Sequence, residues 1–172
     1  AEARVRSIIE RGLDYSEEDF RNVSDILAEV KKEGDAALVK YTNRFDCPDL
    51  TADSLKVTEK EFEDALNQVD DKFLATLDRA RKQIESFHRR QLPNSWFITE
   101  RPGVFLGQKV SAVDGVGVYA PGAKGGMTPL VSSVLMGAIP AKIAGVKNIS
   151  LMTPPRKDGT INPHLLAAAR IT

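Results

Sequence analysis

Apolar residues recur at steps of three and four through the first half of the chain, and then the rhythm changes. Phe20, Val23, Leu27 and Val30 fall on one helical face that runs to about Glu33. Ser16-Glu17-Glu18-Asp19 stands in front of them with the form of a capping box. Gly34 breaks the run, and Asp35 is placed to cap a second helix with Ala37, Leu38 and Tyr41 on its inner face. Phe45 to Asp49 reads as a turn, and Leu55-Lys56-Val57 as a short strand. Thr58-Glu59-Lys60-Glu61 is a stronger capping box, opening a helix that turns Phe62, Leu66 and Val69 inward. Asp70-Asp71 begins the longest helix, which carries the stripe Phe73, Leu77, Ala80, Ile84 and Phe87 to about Gln91. Leu92-Pro93 ends it. Ahead of all these, Ala3 to Arg11 forms a short polar helix closed by Gly12.

Beyond Pro93 the pattern becomes that of strands: Trp96 to Glu100, Val104 to Val110 and Gly115 to Ala120, with Arg101-Pro102-Gly103 as a tight turn. A glycine-rich loop follows. Thr128 is set to cap the next helix, with Pro129 at its first position. That helix, about Pro129 to Ala144, is apolar on nearly every face, which predicts burial on several sides. Pro140 within it predicts a kink or a break, and Gly145 a stop. Asn148 to Thr153 suits a buried parallel strand, closed by Pro154-Pro155. Asn162-Pro163 starts a last helix. Residues 115–155 thus form a strand–loop–helix–strand unit, the usual carrier of a nucleotide or anion site.

Composition sharpens this picture only in part. The chain has 172 residues, 42% hydrophobic and 28% charged, with 24 basic and 24 acidic side chains. That balance argues against a general nucleic-acid binder. It hides an asymmetry: residues 1–100 hold 22 acids and 16 bases, a net of −6, and residues 101–172 hold 2 acids and 8 bases, a net of +6. No Asp or Glu lies between Asp114 and Asp158, whereas Lys124, Lys142, Lys147, Arg156 and Lys157 do or follow closely, which suits an anionic ligand. The same asymmetry also follows simply from helices carrying more charge than strands. The single Cys47, the lack of a signal peptide and the lack of any membrane-length apolar run point to a reducing cytoplasm. The chain starts at Ala1 rather than Met and stops at Thr172 just after a helix begins, so it reads as a fragment.

The candidate chemistry gathers at the loop. Gly122, Gly125 and Gly126 let backbone approach a ligand, and the first-turn amides of the following helix face the loop. The spacing matches neither the dinucleotide fingerprint nor the P-loop, so a plain connection stays open beside a ligand cradle. Tyr119, at the end of its strand, either lies against a base or ring of a ligand or is a half-buried core tyrosine. His88 reads as a core or surface residue on the long helix, and His164 as a solvated residue at a helix start. Two histidines so far apart, with one cysteine, make no zinc site. Ser132-Ser133 have no base nearby in sequence. From the residues alone the chain holds half a ligand site and no catalyst.

The motifs Gly117-Val118-Tyr119-Ala120-Pro121-Gly122, Ser132-Ser133-Val134-Leu135-Met136, Ile139-Pro140-Ala141-Lys142-Ile143-Ala144-Gly145-Val146 and Thr153-Pro154-Pro155 resemble the histidinol dehydrogenase family. Upstream, Glu33 to Leu38, Tyr41-Thr42, Phe45-Asp46, Ile84, Phe87-His88 and Gln91 are similar to the family's early segment. The resemblance spans about residues 5–170. It implies an α/β fold: N-terminal helices followed by incomplete Rossmann-like (aldehyde-dehydrogenase-like) elements, truncated. It divides the chain into an N-terminal helical extension (1–13), the mostly helical start of a first α/β domain (14–118) and the start of a second, NAD-binding domain (119–172).

Members of that family are zinc-dependent, NAD-linked homodimers that oxidise L-histidinol through L-histidinal to L-histidine, the end of histidine biosynthesis. The resemblance places Tyr119 as an NAD contact, with Pro121 and Gly122 at the adjacent loop positions. It carries over no catalytic residue and no zinc ligand, because those lie later in the family's sequence than this chain reaches. Ala123 replaces a glycine common in the family, and the stretch from Gly122 to Ser132 is about three residues longer than usual. The expectation is therefore the N-terminal part of such an enzyme, inactive by itself, without nucleic-acid or membrane partners. A stand-alone nucleotide- or phosphate-binding module is the alternative, and a helical assembly fragment a third reading. Truncation also predicts that Val134, Leu135, Ile139 and Ile149 lack cover, leaving apolar surface that favours self-association.

Overall fold

The computed structural model describes Val5, residues 16–122 and residues 128–172. The helix expected over Ala3–Arg11 lies outside the described residues apart from Val5, as do Ala123, Lys124, Gly125 and Gly126 of the loop. The chain divides into two compact units, residues 1–41 and 42–172.

In the first unit, helix α1 (Glu17–Glu33) opens with the predicted box: the Asp19 amide donates to the Ser16 hydroxyl at 3.1 Å and the Ser16 amide to the Asp19 carboxylate at 3.0 Å. Gly34 ends α1 at φ 59°, a left-handed conformation that a side chain would strain. Helix α2 (Asp35–Phe45) begins at Asp35 itself. Asp35 is therefore not the cap: the carbonyl of Gly34 receives the amides of Ala37 and Leu38 and takes that place. Lys40 and Tyr41 on α2 donate to Glu29 on α1 at 2.5 and 2.6 Å, holding its carboxyl below the ordinary range. Phe20, Val23 and Leu27 stay largely exposed.

The second unit takes in the end of α2 and then α3 (Glu59–Gln68), α4 (Asp71–Arg89), β1 (Trp96–Ile98), β2 (Leu106–Gln108), β3 (Gly115–Tyr119), α5 (Val131–Ile143), β4 (Asn148–Met152) and α6 (Pro163–Ile171). Most boundaries follow from local chemistry. Thr58 and Glu61 form the second capping box, Asp70 accepts from the Phe73 amide at 2.6 Å, and Asn162 accepts from the His164 amide at 3.0 Å ahead of Pro163. The strand expected at Leu55–Val57 does not form. Ser54 and Thr51 exchange side-chain and backbone hydrogen bonds that wind Ala52–Ser54 into one 3₁₀ turn, and no other described strand pairs with the segment.

Two small sheets result. β1 and β2 form an antiparallel hairpin in the register Trp96↔Gln108, Phe97↔Gly107 and Ile98↔Leu106. The rings of Phe97 and Phe105 stack with centroids 4.8 Å apart, and Trp96, Phe97, Ile98, Phe105 and Leu106 all stay exposed. β3 and β4 pair in parallel, Gly115↔Asn148 through Tyr119↔Met152, joined through α5. Their residues alternate between faces. Val116, Val118, Ile149 and Leu151 are the more buried set, while Gly115, Gly117, Tyr119, Asn148, Ser150 and Met152 form an exposed one.

Helix α5 lies against the buried face, and α4 and α6 lie against α5. The core gathers Leu77, Ala120, Val134, Leu135, Ile139, Leu165 and Ala168, flanked by Phe73, Ile84 and Leu151. The expectation that Val134, Leu135 and Ile139 lack cover is thus overturned: they are 0%, 3% and 4% exposed. Helices that precede and follow α5 in the chain supply the cover, and each such side chain contributes about 1.5–3 kcal/mol on full burial. The uncovered apolar residues of this unit include those of the hairpin, Phe45, Phe87, Val113, Tyr119, Met136 and Met152. Pro140 does not break α5, which runs on for three residues to Ile143 before Gly145 stops it at φ 86°.

Candidate functional site

The carboxyl ends of β3 and β4 lie side by side, where open parallel sheets place their ligands. Tyr119 is the last residue of β3 and is 64% exposed, so its ring is not part of the core. Across the register stands Met152, also exposed, with its terminal methyl over Gly117. The ladder extends one bond further, from the Ala120 amide to the Met152 carbonyl at 2.9 Å. Pro154 has no amide proton to continue it, so the strands part here. Pro121 and Gly122 leave this end half-buried.

Helix α5 starts later than the sequence suggests. Its N-cap is Leu130 and not Thr128, and the Leu130 side chain makes no capping hydrogen bond. Thr128 makes a strand-like bridge instead of a cap. The first-turn amides of α5, on Val131 and Ser132, therefore meet no capping oxygen from Leu130. Thr153 adds one more feature that the sequence reading passed over: its hydroxyl oxygen is buried and has no hydrogen-bond partner. The strand alternation and the following Pro154-Pro155 are the signals that mark it as the last donor on this edge.

The basic residues do not converge on this end as their sequence positions suggest. Lys142 lies in the last turn of α5 and donates to the Thr172 carbonyl at 2.5 Å, and Lys147 precedes β4. Both belong to the opposite end of the unit. Arg156 and Lys157 follow β4 and share its carboxyl end; a turn closes there through the Arg156 amide and the Thr160 carbonyl, 2.8 Å apart. Asp158, in that turn, accepts from the Thr160 hydroxyl and amide, which hold its carboxyl below the ordinary value.

Each histidine has a neighbour of its own. His88 Nδ1 lies 2.6 Å from the Gln91 amide oxygen. His164 is not solvated, as its place at a helix start suggests, but partly buried: Phe73 meets its ring edge-to-face at 4.5 Å. Among the described residues no three His, Cys, Asp or Glu side chains gather as metal ligands do. The candidate site thus comprises an exposed aromatic ring, a helix start without a side-chain cap from its N-cap residue and an unpartnered hydroxyl. Those groups suit a ring-bearing, oxygen-rich ligand and supply no general acid, base or nucleophile.

Fold and sheet topology together define a helix-rich α/β protein with a parallel strand–helix–strand unit. Comparison with known proteins makes the assignment specific. The family model for histidinol dehydrogenase matches residues 10–172. The chain is 54% identical over 149 residues to the histidinol dehydrogenase of Nitratidesulfovibrio vulgaris, covering 87% of this chain and 34% of that protein. With the Bacillus subtilis histidinol dehydrogenase it shares 44% identity over 165 residues, 95% of this chain and 38% of that protein. The crystal structure of histidinol dehydrogenase from Elizabethkingia anophelis superposes with a TM-score of 0.83 at 34% identity, over 96% of this chain and 37% of that one. The chain belongs to the histidinol dehydrogenase family and corresponds to an N-terminal portion of it, spanning little more than a third of its relatives' length.

Proposed function

We propose that this chain is the N-terminal part of an NAD- and zinc-dependent histidinol dehydrogenase that oxidises L-histidinol through L-histidinal to L-histidine, and that the chain alone is inactive. The observation that carries the reading is the family match over nearly the whole chain together with its short span of the relatives. The domain division proposed is 1–13, 14–118 and 119–172, with the last as the start of the NAD-binding domain. The whole enzyme is a cytoplasmic homodimer in this reading. No described helix is long and apolar enough to cross a membrane.

The residues present fit one wall of an NAD site. Tyr119 offers a ring face, Pro121 and Gly122 let the backbone run close to the cofactor, and the uncapped start of α5 offers amides to phosphate oxygens. NAD supplies the hydride acceptor when bound. Zinc finds no donor set among the described residues, so no step is assigned to it here. Complementation tests the reading. The full-length protein restores growth on L-histidinol to a histidine auxotroph lacking the dehydrogenase, and the 172-residue chain does not. Failure of the full-length protein overturns it.

A stand-alone binding module without catalysis is favoured by one feature, the acid-free stretch between Asp114 and Asp158. NMR titration of the chain with NAD and simple nucleotides separates the two. Tight, saturable shifts around Tyr119 support the module, and weak or absent binding supports an incomplete wall.

A further inference from the structure

We infer that Thr153 is a further cofactor-binding residue, donating its hydroxyl proton to an oxygen of the ribose-phosphate portion of NAD. The inference rests on the NAD reading above and deepens it. Its starting point is an unmet donor. The Thr153 hydroxyl oxygen is buried and has no hydrogen-bond partner, the sole side-chain atom so found among the described residues. Buried polar groups in folded proteins are almost always paired, and an orphan marks a missing partner.

Position indicates which partner is missing. Thr153 follows Met152, the last residue of β4, and Met152 lies directly across from Tyr119. It therefore sits at the carboxyl edge of the parallel pair, on the ligand side of the sheet. Donors on that edge are few. The Ala120 amide is already spent on the Met152 carbonyl, and Pro154 and Pro155 carry no amide proton. The Thr153 hydroxyl is the buried side-chain group left without a partner at this end of β4. The uncapped first turn of α5 supplies amides that suit the same kind of ligand, one rich in acceptor oxygens.

The test uses the full-length protein and the direct dissociation constant for NAD, measured by calorimetry. Thr153→Val keeps the shape of the side chain and removes the hydroxyl, and Thr153→Ser keeps the hydroxyl. The account expects Thr153→Val to weaken NAD binding by about five- to tenfold, the loss of one hydrogen bond. Thr153→Ser should retain binding within about twofold. Thr153→Val should also keep or raise the thermal midpoint of the NAD-free protein, because it deletes an unpaired buried hydroxyl.

Parental affinity in Thr153→Val, beside intact binding by the parent, would overturn the assignment alone. So would a lowered midpoint with unchanged NAD affinity, which would give the hydroxyl a protein partner. If the parent itself does not bind NAD, the NAD reading falls and takes the assignment with it.

Discussion

Gly137 offers the sharpest test of how α5 is seated on the sheet. It lies inside α5, where glycine is about 1 kcal/mol less favourable than alanine. Propensity alone therefore predicts that Gly137→Ala stabilises the chain. Packing predicts the opposite. A Cβ at Gly137 would lie 2.4 Å from Cγ1 of Val118 and 3.5 Å from its Cβ and Cγ2. Val118 is 8% exposed and β-branched, so it has little room to turn away. Helix and strand must separate or Val118 must leave its rotamer, an overpacking cost of about 1–3 kcal/mol. Set against the propensity gain, the net is a loss of about 1 kcal/mol. That corresponds to a midpoint lowered by about 2–4 °C in a chain of this size.

Urea denaturation of the chain measures the loss, and a second background makes the test decisive. With Val118→Ala the clashing methyls are gone, and adding Gly137→Ala should then stabilise by about 0.5–1 kcal/mol. A change of sign between backgrounds is the predicted result. Stabilisation by Gly137→Ala with Val118 in place would refute the close seating of α5 on β3. The seating bears on the site, because Tyr119 follows Val118 directly.

Three further outcomes follow from the geometry. Tyr119→Ala in the full-length protein should weaken NAD binding by about three- to tenfold, the worth of a ring contact, while leaving the thermal midpoint nearly unchanged because the ring is exposed; calorimetry and thermal melts check both. Thr58→Ala removes the cap of α3 and should cost about 1 kcal/mol at neutral pH. Its partner Glu61 has its carboxyl lowered from 4.5 by the Thr58 amide and hydroxyl, so the part of the cap that runs through the Glu61 carboxylate is complete above pH 4.5 and is lost as pH falls through the lowered value; urea midpoints of parent and variant should draw closer in acid. Phe97→Ser with Phe105→Ser should reduce concentration-dependent self-association of the isolated chain in light scattering, since the stacked pair stands on the exposed hairpin.

The features that the sequence made legible are those decided within a few residues. The boxes at Ser16 and Thr58, the caps at Asp70 and Asn162, and the stop at Gly145 each depend on neighbours two to four positions away. The parallel pairing of β3 and β4 was legible too, because an apolar helix between two short apolar strands leaves little else to form. What escaped depended on distant partners. Leu55–Val57 has strand-like residues but meets no partner strand. Thr128 has the right chemistry for a cap but makes a strand-like bridge, and α5 starts three residues later. His164 at a helix start seemed bound for water until Phe73, from another helix, covered it. Val134, Leu135 and Ile139 were expected bare because the covering helices come from elsewhere in the chain. At the proposed site, Tyr119 was singled out by its place at a strand end and by family motifs, whereas the unpartnered Thr153 hydroxyl could be seen only once burial was known.

The central claim is that this chain is one wall of a histidinol dehydrogenase and not a complete catalyst. L-Histidinol-dependent reduction of NAD, followed by absorbance for the full-length protein and the 172-residue chain side by side, tests it most directly. The account predicts turnover by the full-length protein, with two NADH formed for each L-histidinol carried to L-histidine, and none by the chain alone. Turnover by the chain alone, or none by the full-length protein, would contradict it.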